Sequence, residues 1–444
     1  MLTYHYLLDI ALILLATKLL GLFTRRLQMP QVVGALLAGV ILGPAALNIL
    51  HETTFLKQVA ELGVIILMFN AGLETNLTEL RKAGKASFVI ALIGVLVPLA
   101  GGFGIACIFN RGDLVQGNTS AFLQNMFIGV ILTATSVSIS VETLRELGKL
   151  DTRAGSAILG AALIDDIMGI IALTVISSFA DASVNLWTVL LKIALFFVFI
   201  GVVGFVFYKV FTLVINRNNR DLRRYVIVAF VFCLVLSYMA ERFFGVADIT
   251  GAYFAGLIIC NTQRSKYIAS RFETLSYILL SPIFFASIGL SVQLPSMTGT
   301  IILFSALLLI VAILTKIIGC GLGAKLCRYS NNESLQIGVG MISRGEVALI
   351  VANKGAAMGI LSSVFFGPTI IIVIVTTIIT PILLKIVFNR DNKPALAETS
   401  AEHELIKSFS RSEDLEMDEQ RMIEADESAI VSTRKLGKAP KSEN

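Results

Sequence analysis

The sequence is short of charge. Only 15% of its 444 residues are Asp, Glu, Lys or Arg, against about 25% in a soluble globular chain, which excludes a cytosolic enzyme and a nucleic-acid module. Cysteine is sparse and unpatterned. Cys107, Cys233, Cys260, Cys320 and Cys327 all fall in or beside apolar stretches with no disulfide or metal-ligand spacing, so they read as small hydrophobes and a secreted disulfide scaffold is excluded. The first apolar run, Leu7 to Phe23, lacks the basic region of a cleaved signal and is followed by Arg25 and Arg26, so it reads as a retained span. Apolar residues are abundant: 56% are hydrophobic and the mean hydropathy is +0.82. Runs of eighteen or more recur, each long enough to cross a hydrocarbon layer of about 30 Å as a helix. The composition predicts an all-α polytopic membrane protein whose first partner is the lipid bilayer.

Counting windows gives about 13 transmembrane helices, approximately at Leu7 to Phe23, Val32 to Leu50, Phe55 to Leu73, Ala86 to Phe109, Phe122 to Leu144, Ala157 to Phe179, Leu186 to Ile215, Tyr225 to Phe244, Ala247 to Cys260, Leu275 to Val292, Ile301 to Leu326, Leu335 to Ala352, and Val364 to Val387. The loops on one side carry eighteen Lys and Arg, among them Arg81, Lys82, Arg145, Lys149, Arg217 and Arg264, and those on the other side carry four, Lys57, Arg111, Arg242 and Lys354. That asymmetry places the N-terminus outside and the C-terminus in the cytoplasm of a cell (inner) membrane. Residues 1–388 form the membrane domain. From Asn389 the chain holds 9 basic and 13 acidic residues and no large apolar cluster, which predicts a largely disordered cytoplasmic tail, 389–444, with room for a short helix around Glu413 to Ile430.

An internal repeat organises the spans. Gly34-Ala-Leu-Leu-Ala38-Gly39-Val-Ile41 returns as Gly251-Ala-Tyr-Phe-Ala255-Gly256-Leu-Ile258, 217 residues on, and the same offset carries Gly72 to Gly289, Gly102 to Gly319 and Gly104 to Gly321. The chain then parses as repeat one (7–179), a connector helix (186–215) and repeat two (225–387). Displacement by seven spans, an odd number, reverses each copy in the membrane. Two inverted-topology six-helix repeats are the mark of an alternating-access secondary transporter with its site near the midplane; a duplicated bundle of small-residue packing motifs is the structural alternative.

The copies differ where charge appears. Asp165 and Asp166 sit near the middle of the sixth span, whereas the thirteenth, aligned through Gly160 and Gly367, has Ile372 and Val373. An ionisable residue at that depth costs on the order of 3 kcal/mol, so two adjacent ones imply a cavity or partners. Lys316, midway through the eleventh span, needs a carboxylate partner, and either aspartate is a candidate. Two neighbouring carboxylates resist ionising together and a cation relieves both penalties. They therefore hold protons or a hard monovalent cation in turn, and antiport follows from that exclusion. The bland alternatives are a structural ion pair and a snorkelling lysine. In the fifth span Thr133, Thr135, Ser136, Ser138 and Ser140 crowd together, and the twelfth reads Gly338-Val-Gly340-Met-Ile-Ser343-Arg344-Gly345-Glu346. Both spans read as interrupted, two broken, crossing core helices whose ends coordinate ions, although hydroxyls also bond their own preceding carbonyls. Arg344 and Glu346 read as an ion pair neutralising the broken ends, or as further ligands of the path. Glu74, Asn76, Asp248, Lys18 and Lys192 read as solvated or snorkelling groups near the mouths.

At these residues the chain resembles bacterial cation:proton antiporters of the Nha, Nap and Kef type, the sodium/proton antiporter fold, over roughly Leu7 to Val387. The motifs carrying the resemblance are Leu67-Met-Phe-Asn-Ala-Gly72-Leu-Glu74, Thr133-Ala-Thr-Ser136, Asp165-Asp166, Pro282-Ile-Phe-Phe285 with Gly289, Lys316, and Ser343-Arg-Gly-Glu346. The resemblance implies that Asp166 is the main ligand of the transported cation and protons, that Asp165 pairs with Lys316, and that exchange is electrogenic. It also implies a core of the fourth to sixth and eleventh to thirteenth spans moving against a panel that forms a homodimer. No cofactor is implied beyond the transported Na+, K+ or Li+ and H+. The glutathione-gated potassium-efflux relatives differ before the aspartate and carry a large cytosolic nucleotide-binding domain, so that specialisation is not expected.

Rival readings are weaker on physical grounds. An intramembrane aspartyl protease needs carboxylates on facing helices sharing a proton, whereas neighbours on one helix diverge by about 100°. A sodium-coupled organic-anion symporter on a related fold needs neither adjacent carboxylates nor a buried lysine. A channel does not call for an inverted repeat around a titrating site.

Overall fold

The computed structural model describes residues 5–26, 29–110, 120–180, 185–217, 222–262, 264–291, 299–345, 347–348, 351–352, 355, 360 and 365–389. The chain divides into two units, Met1–Asn389 and Arg390–Asn444, and the fold is that of the first. The expected tail, its short helix and Glu346 lie outside the described residues.

Every described element is helical, as a bilayer requires of a chain whose backbone groups find no water. In order they are α1 (His5–Arg26), α2 (Gln31–Leu42), α3 (Thr54–Glu74), α4 (Leu77–Phe109), α5 (Ala121–Ile131), α6 (Val137–Glu146), α7 (Arg153–Ala180), α8 (Leu186–Arg217), α9 (Leu222–Met239, continued by a π-turn Ala240–Phe244), α10 (Asp248–Ile259), α11 (Ser265–Leu275, joined by a π-turn Ser276–Leu280 to the next), α12 (Ser281–Leu290), α13 (Gly299–Leu326), α14 (Asn331–Gly340) and α15 (Phe366–Asn389). Among the described residues nine helical stretches are long and apolar enough to cross a membrane.

The thirteen expected spans are not thirteen full-length helices. α2, α5, α6, α10 and α14 hold 12, 11, 10, 12 and 10 residues, which at 1.5 Å per residue is roughly 15–18 Å, about half a bilayer. The expected second span reaches Leu50, but helix α2 stops at Leu42. Gly43 there is extended (φ −78°, ψ −176°), because Pro44 drives the residue before it out of the helical region. Helix α4 starts nine residues before its apolar window, on an Asn76 side chain that accepts from the Thr78 and Glu79 N–H groups. That polar first section carries Arg81, Lys82 and Lys85.

The surface pattern is the reverse of a water-soluble protein. Leu191, Leu195, Val198, Val202, Phe205 and Leu213 of α8 are exposed, while Lys316, Arg344, Thr135 and Asp165 are buried; lipid takes the apolar face and the polar groups are inside.

Two groups of helices pack among themselves. One joins α4, α5, α7, α13, α14 and α15, and the other joins α1, α2, α3, α9, α10 and α12. In the second group glycines let backbones touch. A Cβ on Gly72 would lie 2.2 Å from the Tyr253 carbonyl oxygen, and one on Gly256 would lie 2.2 Å from that of Phe69. Likewise a Cβ on Gly289 would lie 2.6 Å from the Gly39 carbonyl carbon. The 217-residue offset maps Gly39 to Gly256 and Gly72 to Gly289, so the α2·α12 and α3·α10 crossings are one crossing made twice, the inverted repeat expressed as contacts.

Candidate functional site

Two unwound segments meet at the centre of the first group. Helix α5 ends at Ile131 and α6 begins at Val137; α14 ends at Gly340 and residues 342–345 follow without regular structure. The Ser136 N–H donates to the Ser343 carbonyl at 2.8 Å, and the Ser343 hydroxyl donates to the Ser136 carbonyl at 2.9 Å. Ser140 Oγ lies 2.6 Å from the Gly340 carbonyl and 2.8 Å from Ser343 Oγ. A Cβ on Gly345 would sit 2.7 Å from Ser136 Oγ, so a side chain there would displace that hydroxyl. The Thr377 hydroxyl of α15 donates to the Arg344 carbonyl at 2.5 Å.

Breaking a helix frees carbonyls and exposes the negative end of its dipole. Arg344, fully buried, answers this: its guanidinium donates to the carbonyls of Ile342 (2.9 Å) and Leu132 (2.7 Å) beside the breaks, and also to that of Ala312 (3.1 Å) within the continuous helix α13. Leu132 is the C-cap of α5, so the cation sits on the broken end. Its described bonds go to carbonyls, and Glu346, the ion-pair partner expected from sequence, is outside the described residues.

Helix α7 carries the aspartates past this crossing. Lys316 of α13, 0% exposed, bonds both oxygens of Asp165 at 3.0 and 3.2 Å. The Thr135 hydroxyl lies against the Asp165 carboxylate without a hydrogen bond of ordinary geometry. Asp166 follows one residue on, turned about 100° around α7 and 7% exposed. One turn further, nothing lies within 4 Å of where a Gly169 Cβ would be, so space opens beside that face of the helix. The hydroxyls named from sequence divide. Thr133 donates to its own Val130 carbonyl at 2.8 Å, Ser136 Oγ lies 3.2 Å from Ser138 Oγ, and Thr135 alone of the three is placed on a carboxylate. In the other repeat Ile372 and Val373 are buried in apolar packing.

Sequence reasoning passed over a second polar layer. Asn70 of α3 is 0% exposed and neither of its amide atoms has a hydrogen-bond partner among the described residues. It shares a helix face with Gly63 and Glu74, at spacings of seven and four. Glu74, read as a solvated charge, instead meets Arg145 of α6 at 3.0 Å, and Arg145 also reaches Glu273 of α11 at 3.3 Å. Glu146 accepts from the N–H groups of Gln31 (2.7 Å) and Val32 (3.1 Å), supplying the cap that Pro30 lacks at the start of α2. Asn76 is a helix cap and Lys18 donates to the Tyr277 hydroxyl at 2.9 Å. A cavity of about 450 Å³ lined by Glu74, Thr75, Asn76, Thr78, Arg81, Asp151 and Asn261 opens beside this network; burial raises the Asp151 carboxyl above its usual range. An asparagine inside an apolar run was the signal that would have found Asn70.

Two half-helices crossing beside a buried carboxylate–ammonium pair, inside an inverted repeat, define a secondary transporter. Residues 11–390 match the family described as sodium/hydrogen exchanger, transmembrane. The chain belongs to the sodium/hydrogen exchanger family. It is 39% identical over 393 residues to the Na(+)/H(+)-K(+) antiporter GerN of Bacillus cereus, covering 88% of this chain and 98% of that protein. It is 38% identical over 384 residues to a Na(+)/H(+) antiporter of Enterococcus hirae, covering 85% and 96%. Its fold is similar to that of the sodium proton antiporter MjNhaP1 from Methanocaldococcus jannaschii, with a TM-score of 0.61 at 18% identity over 84% of this chain and 94% of that one.

Proposed function

We propose that the protein is a multi-pass membrane antiporter that exchanges protons for a monovalent cation, Na+ first and K+ or Li+ as alternatives, by alternating access. The observation that carries the reading is the division of labour on α7: Lys316 neutralises Asp165 through both carboxylate oxygens, and a second carboxylate, Asp166, follows on the adjacent face. Asp166 is then the group on which a proton and a cation replace one another, with Thr135 and the carbonyls freed at the break as its company. The buried charges of Lys316 and Arg344 offset Asp165 and the helix ends. The relatives named as Na(+)/H(+) antiporters support the same exchange. Electrogenic exchange, a homodimer held by the α1–α3 and α8–α12 side, and an inner-membrane location with the C-terminus in the cytoplasm belong to the same reading.

The test is exchange in everted vesicles carrying a fluorescent pH reporter. Addition of Na+, K+ or Li+ dissipates an imposed proton gradient with the wild type and not with Asp166→Asn. Wild-type activity in Asp166→Asn refutes the assignment of the site.

A further inference from the structure

The crossing of the broken helices sits on the symmetry relation of the repeats, because Ser343 and Ser136, like Gly367 and Gly160, differ by 207 positions. Two equivalent strands crossing at one point would exchange a reciprocal pair of backbone hydrogen bonds. Here one arm is backbone, Ser136 N–H to the Ser343 carbonyl at 2.8 Å. At the other arm a side chain serves, since the Ser136 carbonyl accepts from the Ser343 hydroxyl at 2.9 Å. Ser140, on the first turn of α6, extends the chain with its 2.8 Å contact to Ser343 Oγ and its 2.6 Å contact to the Gly340 carbonyl. Each hydroxyl owns one proton, so the three oxygen–oxygen contacts share two protons. One lone pair among the Gly340 carbonyl, the two hydroxyls and the Ser136 carbonyl therefore always faces oxygen, and in a buried setting that electron-rich contact responds to a nearby positive charge. The next residue back along the chain is Thr135, whose hydroxyl lies against Asp165.

We propose that Ser140 and Ser343 are positioning residues for the transported cation: they lock the unwound segment after α14 onto the one before α6, and so set the spacing at which Thr135 and the freed carbonyls are presented beside Asp165 and Asp166. Cation choice follows from that spacing, since ions differing by tenths of an ångström in radius are told apart by how rigidly oxygens are held. The inference rests on the antiporter reading of the same site.

The test is the ratio of apparent KM for Na+ to that for K+ in proteoliposomes, together with the Na+- and K+-dependent shifts in melting temperature of the purified protein. Ser140→Ala and Ser343→Ala change the KM ratio by about threefold to tenfold, the scale of one lost hydrogen bond acting on one ion more than the other. Ser343→Thr, which keeps the hydroxyl, restores the wild-type ratio. Ser287→Ala on α12, whose hydroxyl serves its own Phe284 carbonyl, leaves it unchanged. An unchanged ratio in both alanine variants, with only yield or maximal rate reduced, overturns the proposal. The melting shifts need binding without transport, so they decide the point for a variant that folds poorly in vesicles. If the wild type exchanges, Asp166→Asn is dead and the serine variants keep their selectivity, this inference fails while the antiporter reading stands; if the wild type moves no protons, that reading fails while the cation-dependent melting still reports on the serines.

Discussion

Removing Lys316 isolates a single interaction. Its ammonium is 0% exposed, the Asp165 carboxylate is 1% exposed, and two contacts of 3.0 and 3.2 Å join them. At an effective dielectric of about 20, unit charges about 4 Å apart attract by about 4 kcal/mol, and taking one partner from a buried pair costs about 3–5 kcal/mol because the other charge is left uncompensated. Lys316→Ala therefore loses stability on that scale, and Asp165→Asn, which strands the ammonium, loses a similar amount. The double variant strands neither, so most of the second loss disappears. Coupling of about 2–4 kcal/mol is expected in the double-mutant cycle. Melting of the four proteins in detergent, followed by the fraction remaining monodisperse on gel filtration, gives the ordering: wild type highest, the two single variants well below it, and the double variant close to the singles and well above the level that additive losses would give. Additive losses would show that the ammonium and the carboxylate do not hold one another, and the neutralisation of Asp165 on which the reading of Asp166 depends would go with them.

Gly256→Ala forces a methyl group to within 2.2 Å of the Phe69 carbonyl oxygen on α3; separating the two backbones costs about 1–3 kcal/mol, and Gly72→Ala, its contact partner at the same crossing, costs a similar amount. Equal thermal stability of either variant with the wild type would refute the close approach. Glu146→Ala removes the acceptor for the Gln31 and Val32 N–H groups, and loss of that cap costs about 1 kcal/mol; faster amide exchange at the first turn of α2 is the measurement, and unaltered exchange refutes it. Competition at one carboxylate fixes a pH dependence. Below the pKa of the proton it exchanges, each unit of acidification raises the apparent KM for the cation by about tenfold while the maximal rate changes little, and a maximal rate that falls at constant KM refutes mutual exclusion.

Much of the architecture was legible because membrane sequences announce it. Apolar windows of bilayer length marked the long helices, and Gly39, Gly72, Gly256 and Gly289 disclosed the repeat, since only glycine permits backbones to touch at 2.0–2.4 Å from a would-be Cβ. The interruptions at Thr133–Ser136 and Ile342–Gly345 were visible as hydroxyl and glycine clusters where lipid-facing helix should have been apolar. What misled was polarity near the ends: Glu74 read as a solvated charge, yet it meets Arg145 on a distant helix, whereas Asn76 is exposed as expected and also caps α4.

A one-dimensional pattern records the cost of each residue in lipid, and so the chain alone established that Asp165, Asp166, Lys316 and Arg344 had to be inside. It could not say which carboxylate meets Lys316, because that depends on the rotation of α7 against α13, a quantity about 100° per residue wide. Nor could it say that Arg344 would seek the carbonyls of Leu132 and Ala312, or that Asn70 would be enclosed with no hydrogen-bond partner among the described residues. Those outcomes arise where helices far apart in sequence share a few ångströms of space, and packing decides them.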